Sequence, residues 1–200
     1  SLQAFEKTHN GKQAVYGVVQ GGVYRDLREM SADYTRSRPF FGTAIGGCLG
    51  GTKVHFYEIL SWLPTRIHPD RPVHLLGIGK IEDIFEGVKQ GMDTFDCVTP
   101  TREARHGRAL MKGVPGGFIN LRNSKYKEDP SPLDETLGLA SSALYSKAYI
   151  QHLMKAGEML AFQIISQHNV AVIARLMKEI RETLRSGGSL DQLRKEWLPE

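Results

Sequence analysis

Short apolar runs alternate with longer amphipathic stretches through the first half of the chain. Ala14-Val15-Tyr16-Gly17-Val18-Val19-Gln20 is almost continuously apolar and stops at Gly21-Gly22, which predicts a strand. The Arg-rich segment from Tyr24 to about Arg36, which also carries Leu27 and Glu29, predicts a helix. Thr43-Ala44-Ile45 reads as a second strand ended by Gly46-Gly47, with a helix from about Val54 to Trp62 behind it. Val73 to Ile78 is a third strand, followed by a helix from about Ile81 to Lys89, and Asp93 to Val98 is a fourth. Buried apolar strands separated by single helices predict a parallel sheet built from β-α units. Each strand ends in small or polar residues: Gln20-Gly21-Gly22, Gly46-Gly47, Gly77-Ile78-Gly79 and Asp96. In parallel β/α folds, ligands gather at these carboxyl ends. A flavodoxin-like or Rossmann sheet fits the alternation as well, although no G-x-G-x-x-G opens a helix after a strand.

Beyond Asp96 the pattern changes. Residues from about Arg102 to Pro132 are irregular and rich in Gly and Asn, with a turn at Val114-Pro115-Gly116-Gly117. From Ser141 the chain is helical again, with Tyr145, Tyr149 and Leu153 at four-residue spacing. A last long helix carries Val172, Ile173, Leu176, Met177, Ile180 and Leu184 as an apolar stripe. Gly187-Gly188 ends it, and Ser189 is placed to cap a final helix bearing Leu190, Leu193 and Trp197.

With 200 residues, 40% of them hydrophobic, the chain can bury a core for one domain, or for one domain and a subdomain. The net charge of +4 is mild, but its placement is not even: seven Lys or Arg and one acidic residue lie between Arg102 and Lys127. Two cysteines, Cys48 and Cys97, in apolar surroundings make poor disulfide material and point to a reducing, cytoplasmic setting. No apolar run is long enough to span a bilayer. The chain opens at Ser1 directly in amphipathic helical sequence and reads as a piece of something longer.

The segment Thr94-Phe95-Asp96-Cys97-Val98-Thr99-Pro100-Thr101-Arg102 carries the chemistry. It sets a carboxylate at the end of an apolar β segment and follows it with Arg102, Arg105, His106 and Arg108, opposed locally by Glu103 alone. A carboxylate nucleophile or base beside phosphate-attracting charge points to chemistry on a nucleic acid. An Asp capping a turn beside solvated arginines accounts for the same residues.

The ordered set Gly17-Val18-Val19-Gln20-Gly21-Gly22, Ala44-Ile45-Gly46-Gly47, Gly77-Ile78-Gly79, Phe95-Asp96-Cys97-Val98 with Pro100-Thr101-Arg102, and Ile119-Asn120-Leu121-Arg122-Asn123 resembles the tRNA-guanine transglycosylases (queuine tRNA-ribosyltransferases). Lys155-Ala156-Gly157-Glu158 and His168-Asn169 continue the match, which covers essentially the whole chain but only the C-terminal half of the family. The resemblance implies an α/β fold, the C-terminal half of a TIM (β/α)8 barrel with a helical insertion resembling the family's zinc subdomain. It places the last four β-α units in residues 1–104, the basic insertion and helical subdomain in 105–168, and closing helices in 169–200.

It also implies a function: exchange of guanine at the wobble position of the tRNA anticodon for a deazaguanine, through a covalent ribose intermediate. Asp96 matches the family's nucleophile. Gln20, Gly46, Gly47 and Cys48 fall at base-recognition positions, and Leu76 where an apolar residue packs on the base. Arg102 and Arg105 match positions that contact the RNA backbone. The second acid/base aspartate and the base-stacking aromatic belong to the N-terminal half, so the chain alone is expected to be inactive; Asp93 does not replace that aspartate, lying three residues away on the opposite face. Members are commonly homodimers, and Tyr145, Tyr149 and His152 are placed to form an aromatic cluster at such an interface.

Two departures qualify the match. The family's C-x-C-x-x-C zinc positions are Leu137, Leu139 and Ser142, and only His168 remains of the ligand set. Without thiolates no zinc is expected, Leu137 and Leu139 are placed to plug the space, and His168 becomes a core or helix-start residue. Gly50 stands where bacterial members carry Val, and Thr52 where they carry Glu. The enlarged pocket favours queuine over its precursor base. The competing readings are a non-catalytic partner subunit or RNA-binding fragment of the same family, or an unrelated β/α enzyme that binds a phosphorylated small molecule.

Overall fold

The computed structural model describes residues 2–47 and 52–200. It divides into two compact units, one ending at Cys97 and the other beginning at Val98. In the first, a short exposed helix α1 (Leu2–Thr8) precedes strand β1 (Tyr16–Val19) and helix α2 (Arg25–Arg36). Strand β2 (Gly42–Ile45), helix α3 (Lys53–Trp62), strand β3 (Val73–Leu75), helix α4 (Ile81–Lys89) and strand β4 (Thr94–Phe95) follow. The strands form one parallel sheet in the order β1-β2-β3-β4. A doubly wound sheet reverses its strand order at a switch point. No reversal occurs among the described strands, so the flavodoxin-like and Rossmann alternatives do not describe this unit.

Val19, Ile45, Val73 and Leu75 turn to the helical side of the sheet, where Ala32 of α2 and Phe56, Ile59 and Leu60 of α3 bury them. Gly87 of α4 leaves the space that the Phe95 ring fills; a Cβ there would lie 2.8 Å from the ring. Helices α3 and α4 are joined at a polar point, where the Tyr57 hydroxyl donates to Asp83 Oδ1 at 2.7 Å. Burial and that bond push the Tyr57 pKa up to about 12. The other face of the sheet presents Tyr16, Val18, His74 and Thr94, and Val18 is 46% exposed. The period of two in a strand thus separates one helix-covered face from one that the helices of this unit leave open.

Two strand ends differ from the sequence reading. The third strand stops at Leu75 rather than Ile78, and the fourth at Phe95 rather than Val98. Val98 is instead the cap of helix α5 (Thr99–Arg105), with Pro100 in its first turn. Proline is preorganised for that position and has no amide hydrogen to lose there.

In the second unit, α5 leads into an antiparallel hairpin of β5 (Arg108–Leu110) and β6 (Phe118–Asn120). Helices α6 (Ala140–Leu144), α7 (Lys147–Ala156), α8 (Met159–Arg185) and α9 (Leu190–Trp197) complete it. The core combines Ala104, Ala109, Leu121, Tyr126 and Leu133 with Ile150 and Leu153 of α7 and Ala161, Ile164 and Ile165 of α8. Asn169 fastens three pieces together: its Oδ1 accepts the Leu110 N–H at 2.8 Å, and its Nδ2 donates to the carbonyls of Pro100 and Arg108. This is why α5 belongs to the second unit, whereas the sequence reading carried the β-α series to residue 104. Helix α8 also runs unbroken across residue 168, where that reading began the closing helices.

The helical reading is corrected at two further points. Tyr145 lies between α6 and α7, because Ser146 caps α7 by accepting the Tyr149 N–H. Leu184 is 52% exposed near the end of α8, whereas Val172, Leu176 and Ile180 of the same stripe are buried. Ser189 caps α9 by accepting the Gln192 N–H, as its position before Leu190 predicts. Among the described residues, no helix is long and apolar enough to cross a membrane.

Candidate active site

The register of the parallel sheet sets Val19, Ile45, Leu75 and Phe95 side by side. The next residue on each strand is therefore Gln20, Gly46, Leu76 or Asp96. These four form a single row at the carboxyl ends of the strands, on the face away from the helices. The ladder extends to this row, since Gly46 N–H donates to Val19 O and Leu76 N–H to Ile45 O, both at 3.0 Å. Four residues assigned separately from the sequence thus occupy one row.

At the β1 and β2 ends the Gln20 side chain lies directly over the glycines. A Cβ on Gly46 would sit 2.8 Å from Gln20 Nε2 and 3.2 Å from Leu76 Cδ1, and one on Gly47 would sit 2.7 Å from Gln20 Oε1. Gly47 has φ +68°, a conformation that side-chain-bearing residues rarely adopt. The two glycines clear the space in which an amide and a leucine can close on a flat ring. Cys48 and Gly50 lie outside the described residues. Thr52 is the N-cap of α3, accepting the His55 N–H through its hydroxyl.

Beneath the glycines lies a residue that the sequence reading missed. Arg28 of α2 is fully buried, donating from Nε to Gly22 O and from Nη2 to Gly46 O at 3.0 Å. Among the described residues, its Nη1 has no hydrogen-bond partner. The guanidinium ties together the backbone that follows β1 and β2. Within an Arg-rich amphipathic helix it reads as a solvated cation, and nothing in the local pattern marks it as buried.

At the β4 end, Asp96 is held by two donors on one oxygen. The Gly77 N–H donates to Oδ1 at 3.0 Å, and His74 Nε2 lies 3.1 Å from the same atom. Neither engages Oδ2, and the side chain is 58% exposed. The Gly77 amide, with His74 behind it, outweighs partial burial and holds the carboxyl below the usual carboxylate range. Asp96 is therefore an anion at neutral pH, with one oxygen fixed. Asp93 serves the opposite end of the strand, where its Oδ2 accepts the Val73 N–H at 2.7 Å.

In the second unit, Arg102 and Arg105 project exposed from the last turn of α5. Their neighbour Arg108 is engaged instead, by Glu103 at 3.0 Å and over the Phe118 ring. Tyr145 and Tyr149 stack at 5.6 Å despite the helix break between them.

The four positions of the family's zinc site do not fit a metal. Leu137 and Leu139 carry no donor atoms and are half-buried. Ser142 and His168 are both fully buried, and the Ser142 hydroxyl lies 3.0 Å from His168 Nδ1 while His168 Nε2 lies 2.7 Å from Leu110 O. Both ring nitrogens are occupied by core hydrogen bonds. Among the described residues, no group of three or more His, Cys, Asp or Glu side chains is arranged to hold a metal ion.

The family model described as queuine tRNA-ribosyltransferase matches residues 1–200. A putative queuine tRNA-ribosyltransferase of Archaeoglobus fulgidus is 40% identical over 98% of this chain and 52% of its own length. Queuine tRNA-ribosyltransferases of a Roseiflexus species and of Pasteurella multocida are 43% and 41% identical, over 94% and 92% of this chain and 47% of their own length. The chain spans about half the length of the curated relatives it matches, and it belongs to the queuine tRNA-ribosyltransferase family.

Proposed function

We propose that this chain is the C-terminal half of a (β/α)8 barrel that exchanges guanine at the tRNA wobble position for queuine. The row Gln20–Gly46–Leu76–Asp96 carries the reading. It joins a base cradle to an ionised, oriented carboxylate at the strand ends where barrel chemistry occurs. Asp96 Oδ2, the oxygen that Gly77 and His74 spare, attacks the ribose anomeric carbon as the bond to guanine breaks. The resulting ester is displaced by the incoming base, so two inversions retain the configuration. Gln20 presents both a donor and an acceptor to a purine edge, backbone at Gly46 and Gly47 approaches the ring, and Leu76 packs on it. Arg102 and Arg105 take phosphates of the anticodon loop.

The other half of the barrel, on the same polypeptide or on a partner, supplies the second acid/base group and the stacking aromatic, and the chain alone is inactive. The assembly is cytoplasmic, and Tyr145, Tyr149 and His152 contribute to a homodimer. No zinc is bound, because the four ligand positions hold two leucines and a satisfied Ser142–His168 pair. Queuine is the preferred base on the argument from Gly50; Gly50→Val is expected to suppress its use, and equal use of queuine and precursor by both proteins would count against that preference.

The test is to combine the chain with its N-terminal half, add tRNA and a nonreactive deazaguanine analogue, and run a denaturing gel. A protein-bound RNA band that Asp96→Asn abolishes supports the nucleophile. No band from the parent, with tRNA binding intact, supports a non-catalytic partner subunit instead.

A further inference from the structure

One row behind the site on the same face stand Val18, Ala44, His74 and Thr94, by the register of the four strands. Three of these are small or apolar side chains or a hydroxyl, and His74 alone is an aromatic base. Its ring is fixed from three directions. Nε2 lies 3.1 Å from Asp96 Oδ1, and Nδ1 lies 2.8 Å from Thr94 Oγ1. The Tyr16 ring meets it edge-on, with centroids 6.4 Å apart. Tyr16 reaches across β2 because the facing residue is Gly42, where a Cβ would lie 2.3 Å from the Tyr16 ring.

An ionised carboxylate can only accept, so Nε2 carries the hydrogen toward Asp96. In the neutral ring Nδ1 then accepts from the Thr94 hydroxyl. The bonds run in one direction, Thr94 O–H to His74 and His74 N–H to Asp96, ending on the oxygen that also accepts the Gly77 amide.

We infer that His74 is a positioning residue for the reaction, holding Asp96 through Oδ1 so that Oδ2 faces the ribose, with Thr94 and Tyr16 fixing the imidazole. A side chain that is 58% exposed otherwise has free rotation about two bonds, and one backbone donor fixes only one point of the carboxylate. The second donor, from a ring that is itself held, sets the carboxylate plane. Misorientation of a nucleophile lowers the rate of attack without weakening substrate binding.

This inference rests on Asp96 being the nucleophile, and the experiment separates the two. In the full protein containing both barrel halves, the rate of trapped tRNA adduct and the KM for tRNA are measured for His74→Phe, His74→Gln, Thr94→Val and Asp96→Asn. Phe keeps the ring beside Tyr16 but removes both hydrogen bonds; Gln restores a donor near the Nε2 position. His74→Phe is expected to slow adduct formation about ten- to a hundredfold, the worth of a hydrogen bond to a charged group, with the KM for tRNA unchanged. His74→Gln is expected to recover most of that loss, and Thr94→Val to show a smaller loss in the same direction. An unchanged adduct rate in His74→Phe, with Asp96→Asn dead, overturns the positioning role and leaves the nucleophile standing. Adduct formation by Asp96→Asn overturns both. If His74→Phe does not fold, His74→Leu takes its place, and an adduct rate there equal to that of the parent overturns the inference.

Discussion

Ser142 and His168 are hydrogen-bonded to each other in the core of the second unit, 3.0 Å apart, with neither exposed to solvent. The other ring nitrogen faces Leu110 O at 2.7 Å, so Nε2 donates to that carbonyl. Burial pulls the His168 pKa below the ordinary 6.5, against the weaker opposing effects of the Leu110 carbonyl and Asp134. The unfolded chain therefore takes up this proton before the folded one. Its contribution to stability is complete above about pH 6.5 and is lost as pH falls from there toward the folded value. Urea unfolding between pH 7.5 and 5 is expected to show this decline, at most about 1.4 kcal/mol per pH unit. His168→Phe removes that slope while costing about 1–3 kcal/mol at neutral pH, because Ser142 and Leu110 lose a partner. An equal slope in both proteins over that window would assign the decline to other groups.

The same pair predicts indifference to chelation. With both ring nitrogens bonded within the protein and no donors at Leu137 or Leu139, EDTA is expected to leave the thermal midpoint of the parent unchanged. Installing Leu137→Cys, Leu139→Cys and Ser142→Cys together recreates four ligands with His168. That variant is expected to gain stability from added zinc and to lose it to EDTA. A parent protein destabilised by EDTA alone would show that a metal is held after all.

Much of the first unit is legible in the sequence because its strands are short apolar runs bounded by glycines, and a wrong register would bury polar strand ends. Gln20, Gly46, Leu76 and Asp96 are each recognisable as strand-end residues. That they form one row is not, since register between strands is a tertiary property. His74 is hidden for a related reason: one histidine inside Val73–Leu75 reads as core until Asp96 is known to stand on the same face. Arg28 is hidden because its burial depends on two carbonyls, of Gly22 and Gly46, that adjacent sequence does not place beside it. The break between α6 and α7 was readable in principle, since Ser146 stands as a cap before Lys147, but the four-residue spacing of Tyr145 and Tyr149 masked it.

Glu179 anchors the C-terminal helix. Its carboxylate accepts from Lys112 Nζ and Trp197 Nε1, both at 2.8 Å, and from Arg175 Nε at 2.9 Å. Burial pushes its pKa up, but these three donors outweigh it and hold the group below the usual carboxylate range. Its contribution is present above the ordinary value of 4.5 and lost as pH falls below it. Trp197 is fully buried, so Glu179→Leu strands an indole N–H inside the protein. The expected loss is about 2 kcal/mol, read as a lower urea midpoint with red-shifted tryptophan emission. Glu179→Gln, which retains an acceptor, should fall between. Equal midpoints in all three would mean that α9 is held by apolar packing alone.

Gly46 and Gly47 offer a pair of substitutions that separate binding from stability. Gly46 has no positive φ, so Gly46→Ala is tolerated by the backbone, but its methyl would displace the Gln20 amide 2.8 Å away. On the proposed role of Gln20, loss of one neutral hydrogen bond to the base, about 0.5–1.5 kcal/mol, is expected to raise the KM for the base up to about tenfold, with the KM for tRNA unchanged. Gly47→Ala meets Gln20 as well, and its φ of +68° adds about 1–2 kcal/mol of backbone strain, so it lowers the unfolding midpoint where Gly46→Ala does not. Steady-state kinetics of the full protein containing both barrel halves, with varied base, beside urea unfolding of each variant, checks both expectations. A base KM untouched by Gly46→Ala would remove Gln20 from base recognition, because no rotamer of that amide can keep its present place over Gly46 once the methyl is there.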